Sequence, residues 1–103
     1  MGAYTIVFSP YADRDLERIV RYISRDNPVA ADRLGQKLID RALSLTESGS
    51  ALIGSRLYKR PDVRKLIEGN YLIFYRVFPE QNKVRVLRFW HAARSPSRLR
   101  LNV

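Results

Sequence analysis

The side chains of this chain that could do chemistry are nearly all cationic. Arg64, Lys65, Arg76, Arg85, Arg88, Arg94, Arg98 and Arg100 are threaded among aromatic residues in its second half. Arginine beside aromatic rings binds phosphates, stacks on bases or anchors protein interfaces. The same cations, with a tyrosine, could cleave RNA without a metal by stabilising the charge of a phosphorane-like transition state. His91 is the only histidine and cysteine is absent, so neither an imidazole pair nor a thiolate set for zinc exists. As a general base His91 needs a partner that spacing does not supply, and its plainer role is a hydrogen-bonded imidazole at a strand end. Asp13, Asp15 and Glu17 share a helical segment with Arg14, Arg18 and Arg21, and they read as solvated ion-pair formers rather than catalytic acids. No phosphate-binding glycine loop, nucleophile elbow or carboxylate cluster occurs. The inventory therefore assigns no catalytic residue, no metal and no cofactor, and it favours binding of a negatively charged partner.

The elements that position these residues follow from periodicity. Tyr4 to Phe8 is β-branched and aromatic and reads as a strand. Ser9 then caps a helix that opens on Pro10, where the missing N–H costs nothing. Ala12, Leu16, Ile19, Val20 and Ile23 recur at helical spacing, and Asn27-Pro28 restarts a second helix with the stripe Ala31, Leu34, Leu38, Ala42 and Leu45. So short a connection makes the two helices an antiparallel hairpin. Gly49 to Pro61 reads as a loop. From Val63 the period changes to two, giving strands over 63–67, 71–78 and 83–90 joined by tight turns, an antiparallel meander. Residues 92–103 read as a basic, weakly structured tail. The expected fold is α+β: an N-terminal strand and a helical hairpin packed on one face of a four-stranded, mostly antiparallel sheet.

Two helices cover one sheet face only, yet the strand 71–78 is apolar on both. Tyr71, Ile73, Tyr75 and Val77 point one way, and Leu72, Phe74, Arg76 and Phe78 the other. A water-facing sheet side normally carries polar residues. Leu72, Phe74, Arg76, Phe78 and Trp90 either await a partner or lie beneath the loop and the tail.

Length and charge bound the rest. A chain of 103 residues and 12.0 kDa is the size of one domain, 1–103. No stretch approaches the ~18 apolar residues of a membrane span, and the N-terminal segment has neither the basic nor the apolar region of a leader. Lack of cysteine suits a reducing compartment, so a cytoplasmic location is expected. Fifteen of the nineteen basic residues are arginine, and the net charge is +9. Residues 1–55 hold seven basic and seven acidic side chains, whereas 56–103 hold twelve and three, so the whole excess sits in the second half. Such asymmetry steers in an acidic partner, whether nucleic acid or an acidic protein segment.

An ordered series of fragments resembles the RelE/ParE toxin superfamily, in its ParE-like or plasmid stabilisation branch. The series runs from Ile6-Val-Phe-Ser-Pro10 through Ala12-Asp13-x-Asp15-Leu16-Glu17-x-Ile19, Tyr22-Ile23 and Asn27-Pro28-x-Ala30-Ala31. It continues with Val63-Arg64-x-Leu66, Gly69-x-Tyr71-x-Ile73-x-Tyr75-Arg76-Val77 and Val86-Leu87-Arg88-x-x-His91-x-x-Arg94. The resemblance implies the fold derived above and a bacterial type II toxin held inactive by a cognate antitoxin in a hetero-oligomer. It implies DNA gyrase as the target if the chain follows the ParE branch, or ribosome-dependent mRNA cleavage if it follows the RelE branch; a superfamily member that only binds its antitoxin is the third reading. RelE-type nucleases use two arginines and a tail tyrosine at positions that here hold Ile67, Ala92 and Arg98, which favours gyrase. One departure is Ser95, where ParE-like chains often carry Asp. The expected target-binding residues are Arg64, Lys65, Arg85, Arg88, His91, Arg94 and Arg98. An acidic, partly disordered antitoxin segment is expected on Leu72, Phe74, Arg76, Phe78 and Trp90, with nucleic acid met only through the complex. A nuclease would instead draw on Lys65, Arg76, Arg88 and His91.

Overall fold

Ser9-Pro10 turns the chain from strand into helix, and the same serine ties that helix to the last strand. Its Oγ accepts from the Ala12 N–H at 3.0 Å and donates to the Leu87 carbonyl at 2.8 Å. The computed structural model describes residues 3–47 and 50–102, the Ser50 side chain excepted. It contains β1 (Thr5–Phe8), α1 (Pro10–Ser24), α2 (Pro28–Leu43), β2 (Ser55–Arg56), β3 (Arg64–Glu68), β4 (Tyr71–Phe78) and β5 (Lys83–His91). Asn27 caps α2 by accepting from the Ala30 N–H at 3.0 Å. Gly35 lets the helices close on each other: a Cβ there would stand 2.9 Å from Cγ2 of Val20.

The sheet order is β1-β5-β4-β3-β2. β1 runs parallel to β5, from Thr5 opposite Lys83 to Phe8 opposite Val86, and the other pairs are antiparallel. The expected α+β architecture holds, with five strands instead of four. The fifth, β2, lies in the segment read as a loop and pairs Ser55 with Lys65 and Arg56 with Arg64. Two residues are too few to show a period, so the sequence carries no sign of it; Gly49, where that loop began, lies outside the described residues. Gly69 makes the β3–β4 turn with φ 58°, a left-handed conformation in which glycine pays no Cβ penalty.

Both sheet faces are covered. On the helix side Ala12, Leu38, Ala42, Leu45, Leu66, Ile73, Tyr75, Val84, Val86 and Phe89 form the main core. On the far side Val63, Phe74, Leu87 and Trp90 form a second core, packed by Leu57, Leu72, Leu99 and Leu101. Of the two options for the apolar far face, the chain's own loop and tail are therefore the answer, and the tail is better ordered than its composition suggested. A one-residue bulge in β5 sorts the two cores: Phe74 faces Arg88 while Tyr75 faces Val86, leaving Leu87 unpaired. Val86 and Phe89 thereby serve one core, and Leu87 and Trp90 the other.

Candidate functional site

β1 accompanies β5 only as far as Val86. Beyond that point the outer edge of β5 is met by α1. Asp15 accepts from Nε and Nη2 of Arg88 at 2.6 and 2.9 Å and from the Phe89 N–H at 3.1 Å. Arg88 Nη1 donates to the Arg100 carbonyl at 3.0 Å, and its guanidinium lies 5.1 Å from the Trp90 ring centroid. Asp15 is 5% exposed and Arg88 7%, so this pair locks α1, β5 and the tail together from inside. Two expectations are corrected here. Asp15 is not a solvated helix carboxylate, and Arg88 does not offer its charge to a partner, because the bidentate pair consumes it.

Beside this pair a groove of about 440 Å³ opens between α1 and the strand ends. Ile19, Tyr22 and Ile23 line it from α1, Tyr71, Phe89 and His91 from the sheet, and Arg18 and Arg94 sit with them. The His91 and Tyr71 rings meet edge to face with centroids 4.9 Å apart. His91 Nδ1 accepts from the Ala93 N–H at 3.0 Å, which assigns the ring proton to Nε2. In that tautomer His91 offers its Nε2–H as a donor. Burial, with Tyr22 nearby as a smaller cause, raises the Tyr71 phenol above its ordinary value, so it too is a neutral donor. Arg94 stacks over Trp90 with its guanidinium 4.1 Å from the ring centroid.

The remaining expected residues lie apart from this groove. Arg64 donates Nη1 to the Leu52 and Gly54 carbonyls at 3.1 and 2.8 Å, which holds the loop before β3. Lys65 stands opposite Phe74, and Arg98 is exposed in the helical turn Pro96–Arg98. Arg76 reaches the Asp62 carboxylate at 3.6 Å and lies over Phe78 at 4.7 Å from its centroid, with Lys83 also on that ring at 4.9 Å. Arg60 binds Asp62 through two 3.1 Å hydrogen bonds, and these hold the Asp62 carboxyl below its ordinary value. Arg85 lines a shallow groove with Arg60 and Arg76. Phe74 is 3% exposed and Trp90 2%, so those two expected antitoxin contacts are enclosed by the chain itself, and Leu72 packs against them. Among the described residues no group of acidic, histidine or cysteine side chains is placed to hold a metal.

Sequence reasoning missed Asp15, although a signal was present. It falls at helical spacing from Ala12 and Ile19, inside the apolar stripe, and a charge placed there must be paired. It also missed Tyr75. This buried tyrosine donates to the Ala51 carbonyl and accepts from the Gly54 N–H, each at 2.9 Å, and its phenol is raised chiefly by burial. Gly54 is glycine because of that approach, since a Cβ would stand 2.5 Å from the Tyr75 oxygen.

Comparison with known proteins agrees with this geometry. The family model of the ParE toxin of type II toxin–antitoxin systems, parDE, matches residues 6–96. The fold is similar to that in the chromosomal ParDE TA system from P. aeruginosa, with TM-score 0.74 and 21% identity over 86% of this chain and 96% of that one. It is similar also to a chain of the toxin–antitoxin complex RelBE2 from Mycobacterium tuberculosis, with TM-score 0.69 and 25% identity over 91% and 97% of the two chains. The isolated E. coli RelE toxin gives TM-score 0.58 and 23% identity over 92% and 90%. Comparison with curated proteins gives no match. With the model covering most of the chain, and strand, helical hairpin and sheet in the matching order, this chain belongs to the ParE toxin family of type II toxin–antitoxin systems.

Proposed function

We propose that this toxin works by contact rather than by catalysis, that its target is DNA gyrase in the cytoplasm, and that an acidic antitoxin segment neutralises it. The observation that carries this reading is the dispersal of the side chains a nuclease would need. Lys65 and Arg76 belong to the far side of the sheet, Arg88 is spent on Asp15, and His91 lies in the helix-side groove with Nδ1 already bonded. No reacting phosphate can touch all of them at once, and general acid–base work requires them within hydrogen-bond reach of one substrate. Ile67 and Ala92, where the RelE-type resemblance calls for arginines, have no charge to offer. What the molecule presents instead is contact surface: an apolar groove rimmed by Arg18, Arg94 and His91, and a far-side groove where Arg60, Arg76 and Arg85 meet. An antitoxin partner is supported by the neighbours, which include ParDE and RelBE toxin–antitoxin complexes.

The test is a supercoiling assay with purified gyrase, titrating the toxin with and without the antitoxin encoded beside it. Inhibition with accumulating cleaved DNA, reversed by antitoxin, is the expected result. Unimpaired supercoiling together with cleavage of mRNA on ribosomes overturns the reading.

A further inference from the structure

Past Val86 the outer edge of β5 has no strand beside it, because β1 pairs with β5 only as far as that residue. Further along, the Phe89 N–H points to Asp15 and away from β4, while the Ala92 N–H crosses to the Asn70 carbonyl on the β4 side at 2.8 Å. Alternate residues of a strand turn their main-chain groups to the same edge. The main-chain N–H and C=O of Phe89 and His91 therefore all face outward, onto the groove between α1 and the strand ends. Two of them are engaged already: the Phe89 N–H by Asp15, and the His91 carbonyl by the Arg94 N–H at 2.9 Å. The Phe89 carbonyl and the His91 N–H bond to no other element among the described residues.

We infer that this groove takes an extended acidic segment of a partner protein as a strand added to β5, in continuation of β1. The engaged groups fix its direction. An antiparallel strand exchanges both main-chain bonds with one residue, and neither Phe89 nor His91 has both to give. A parallel strand bonds the carbonyl of one residue and the N–H of the residue two further on, which is the pair left over. The incoming residue then stands opposite Trp90. β1 follows the same pattern, with the Thr5 N–H on the Asn82 carbonyl and Thr5 opposite Lys83. Side chains of opposite residues share a sheet face. The residue opposite Trp90 thus lies on the far side, where the Arg94 guanidinium stacks on the Trp90 ring and has no carboxylate partner among the described residues. Its two neighbours lie on the helix side, over Phe89 and His91, where Ile19, Ile23 and Tyr71 wall the cavity of about 440 Å³. The segment is accordingly apolar, acidic, apolar in sequence. Arg18 adds an unopposed charge at the groove's rim, since Asp15, the one carboxylate lining the groove among the described residues, is engaged by Arg88. That the segment is the antitoxin's rests on the function proposed above; the docking itself does not.

The probe is a blocked peptide of alternating leucine and glutamate, about nine residues long. It is titrated into the full chain by calorimetry, and the complex is followed by residue-resolved hydrogen exchange. The His91 amide gains protection, whereas the Ala92 amide, already bonded to Asn70, changes little. Replacing the glutamates by lysine abolishes binding. Methylating the glutamate nitrogens does so too, because the Phe89 carbonyl then meets no donor. Arg94→Gln, at an exposed position, weakens binding by up to about fivefold, the range of an exposed ion pair. Arg33→Gln with Lys37→Gln, exposed on α2, leaves the affinity unchanged. Far-ultraviolet circular dichroism confirms that each variant is folded. Absent binding overturns the inference, and so does binding that leaves the His91 amide unprotected. Equal affinity for the lysine peptide or the methylated peptide overturns it as well. Equal affinity for phenylbutyrate, which has a ring and a carboxylate but no chain to pair, refutes strand addition in favour of a small-molecule site. Protection by the peptide but not by the antitoxin refutes only the assignment of the segment, and a lack of effect on gyrase refutes only the proposed target.

Discussion

Asp15→Ala is the most exacting test of how this toxin is held together. The change removes both carboxylate contacts to Arg88 and the acceptor for the Phe89 N–H, in a place where Arg88 is 7% exposed. Water cannot take over, so an unpaired guanidinium and an orphan amide stay buried. Breaking one side of a buried pair costs about 3–5 kcal/mol. Against a total stability of about 5–15 kcal/mol, that is a third or more of the whole for many domains. At about 4–8 °C per kcal/mol for a chain of this size, the melting temperature falls by at least ~12 °C. Urea titration followed by Trp90 emission measures the loss directly. The exposed pair Glu17–Arg21 supplies the contrast, since Glu17→Ala costs only about 0.3–0.5 kcal/mol. A second variant, Asp15→Leu with Arg88→Met, removes both charges together and recovers the share due to the unpaired guanidinium, while the Phe89 N–H stays without its acceptor. The reasoning fails if Asp15→Ala stays within ~1 kcal/mol of the parent, the range of a surface pair. It fails equally if the double replacement is no more stable than the single one. Arg88 should not be used to probe target binding, because reversing its charge sets two carboxylates together and the lost activity then reports unfolding.

Two further outcomes follow from the packing. Tyr75 and Tyr71 both have phenols raised above the 10.0 of the free side chain, so the folded state keeps protons the unfolded state has already lost. Their contribution is complete below the unfolded value and declines as pH rises toward the folded ones, so urea midpoints taken from pH 8 to 11 should fall steeply above about pH 10. Tyr75→Phe makes that fall shallower, leaving the Tyr71 share, and costs about 1–3 kcal/mol at neutral pH by orphaning the Gly54 N–H and the Ala51 carbonyl; an unchanged alkaline slope contradicts the assignment. Leu99→Ala with Leu101→Ala uncovers the far core and costs about 1–2 kcal/mol per leucine, less than the 2–5 of a fully enclosed one. The emission of Trp90, the only tryptophan, then shifts to the red, and an unshifted spectrum means the tail does not seal this face.

What the sequence made legible was whatever repeats. α1 and α2 announced themselves by apolar stripes and by Ser9-Pro10 and Asn27-Pro28, and β4 was readable at both ends. β2 is too short to carry a period, and the bulge at Leu87 is an interruption of the alternation that periodicity relies on. The functional surface was harder for a different reason. Residue type locates charge, but only the fold says whether a charge is spent: Arg88, Arg94 and Arg76 play different parts, although all are arginines in one basic half. Arg88 is locked inside, Arg94 lies on Trp90, and Arg76 shares Asp62 with Arg60. Asp15 shows the converse, a residue whose neighbours in the stripe declared it buried while its neighbours in sequence suggested a solvated face.

The pairing of β1 with β5 has a consequence in time. Ser9 and Leu87, which close that seam, are 78 positions apart. At about 5–20 residues per second on the ribosome, β1 waits roughly 4–16 seconds for the strand that completes it. Until then the helical hairpin has no finished sheet to lie on, and the Asp15 carboxylate has no guanidinium. The nascent chain consequently has none of the surface that the folded sheet presents until its last strand is made. A neutralising partner that reads the finished sheet cannot intercept it during translation and must already be waiting when the chain is released.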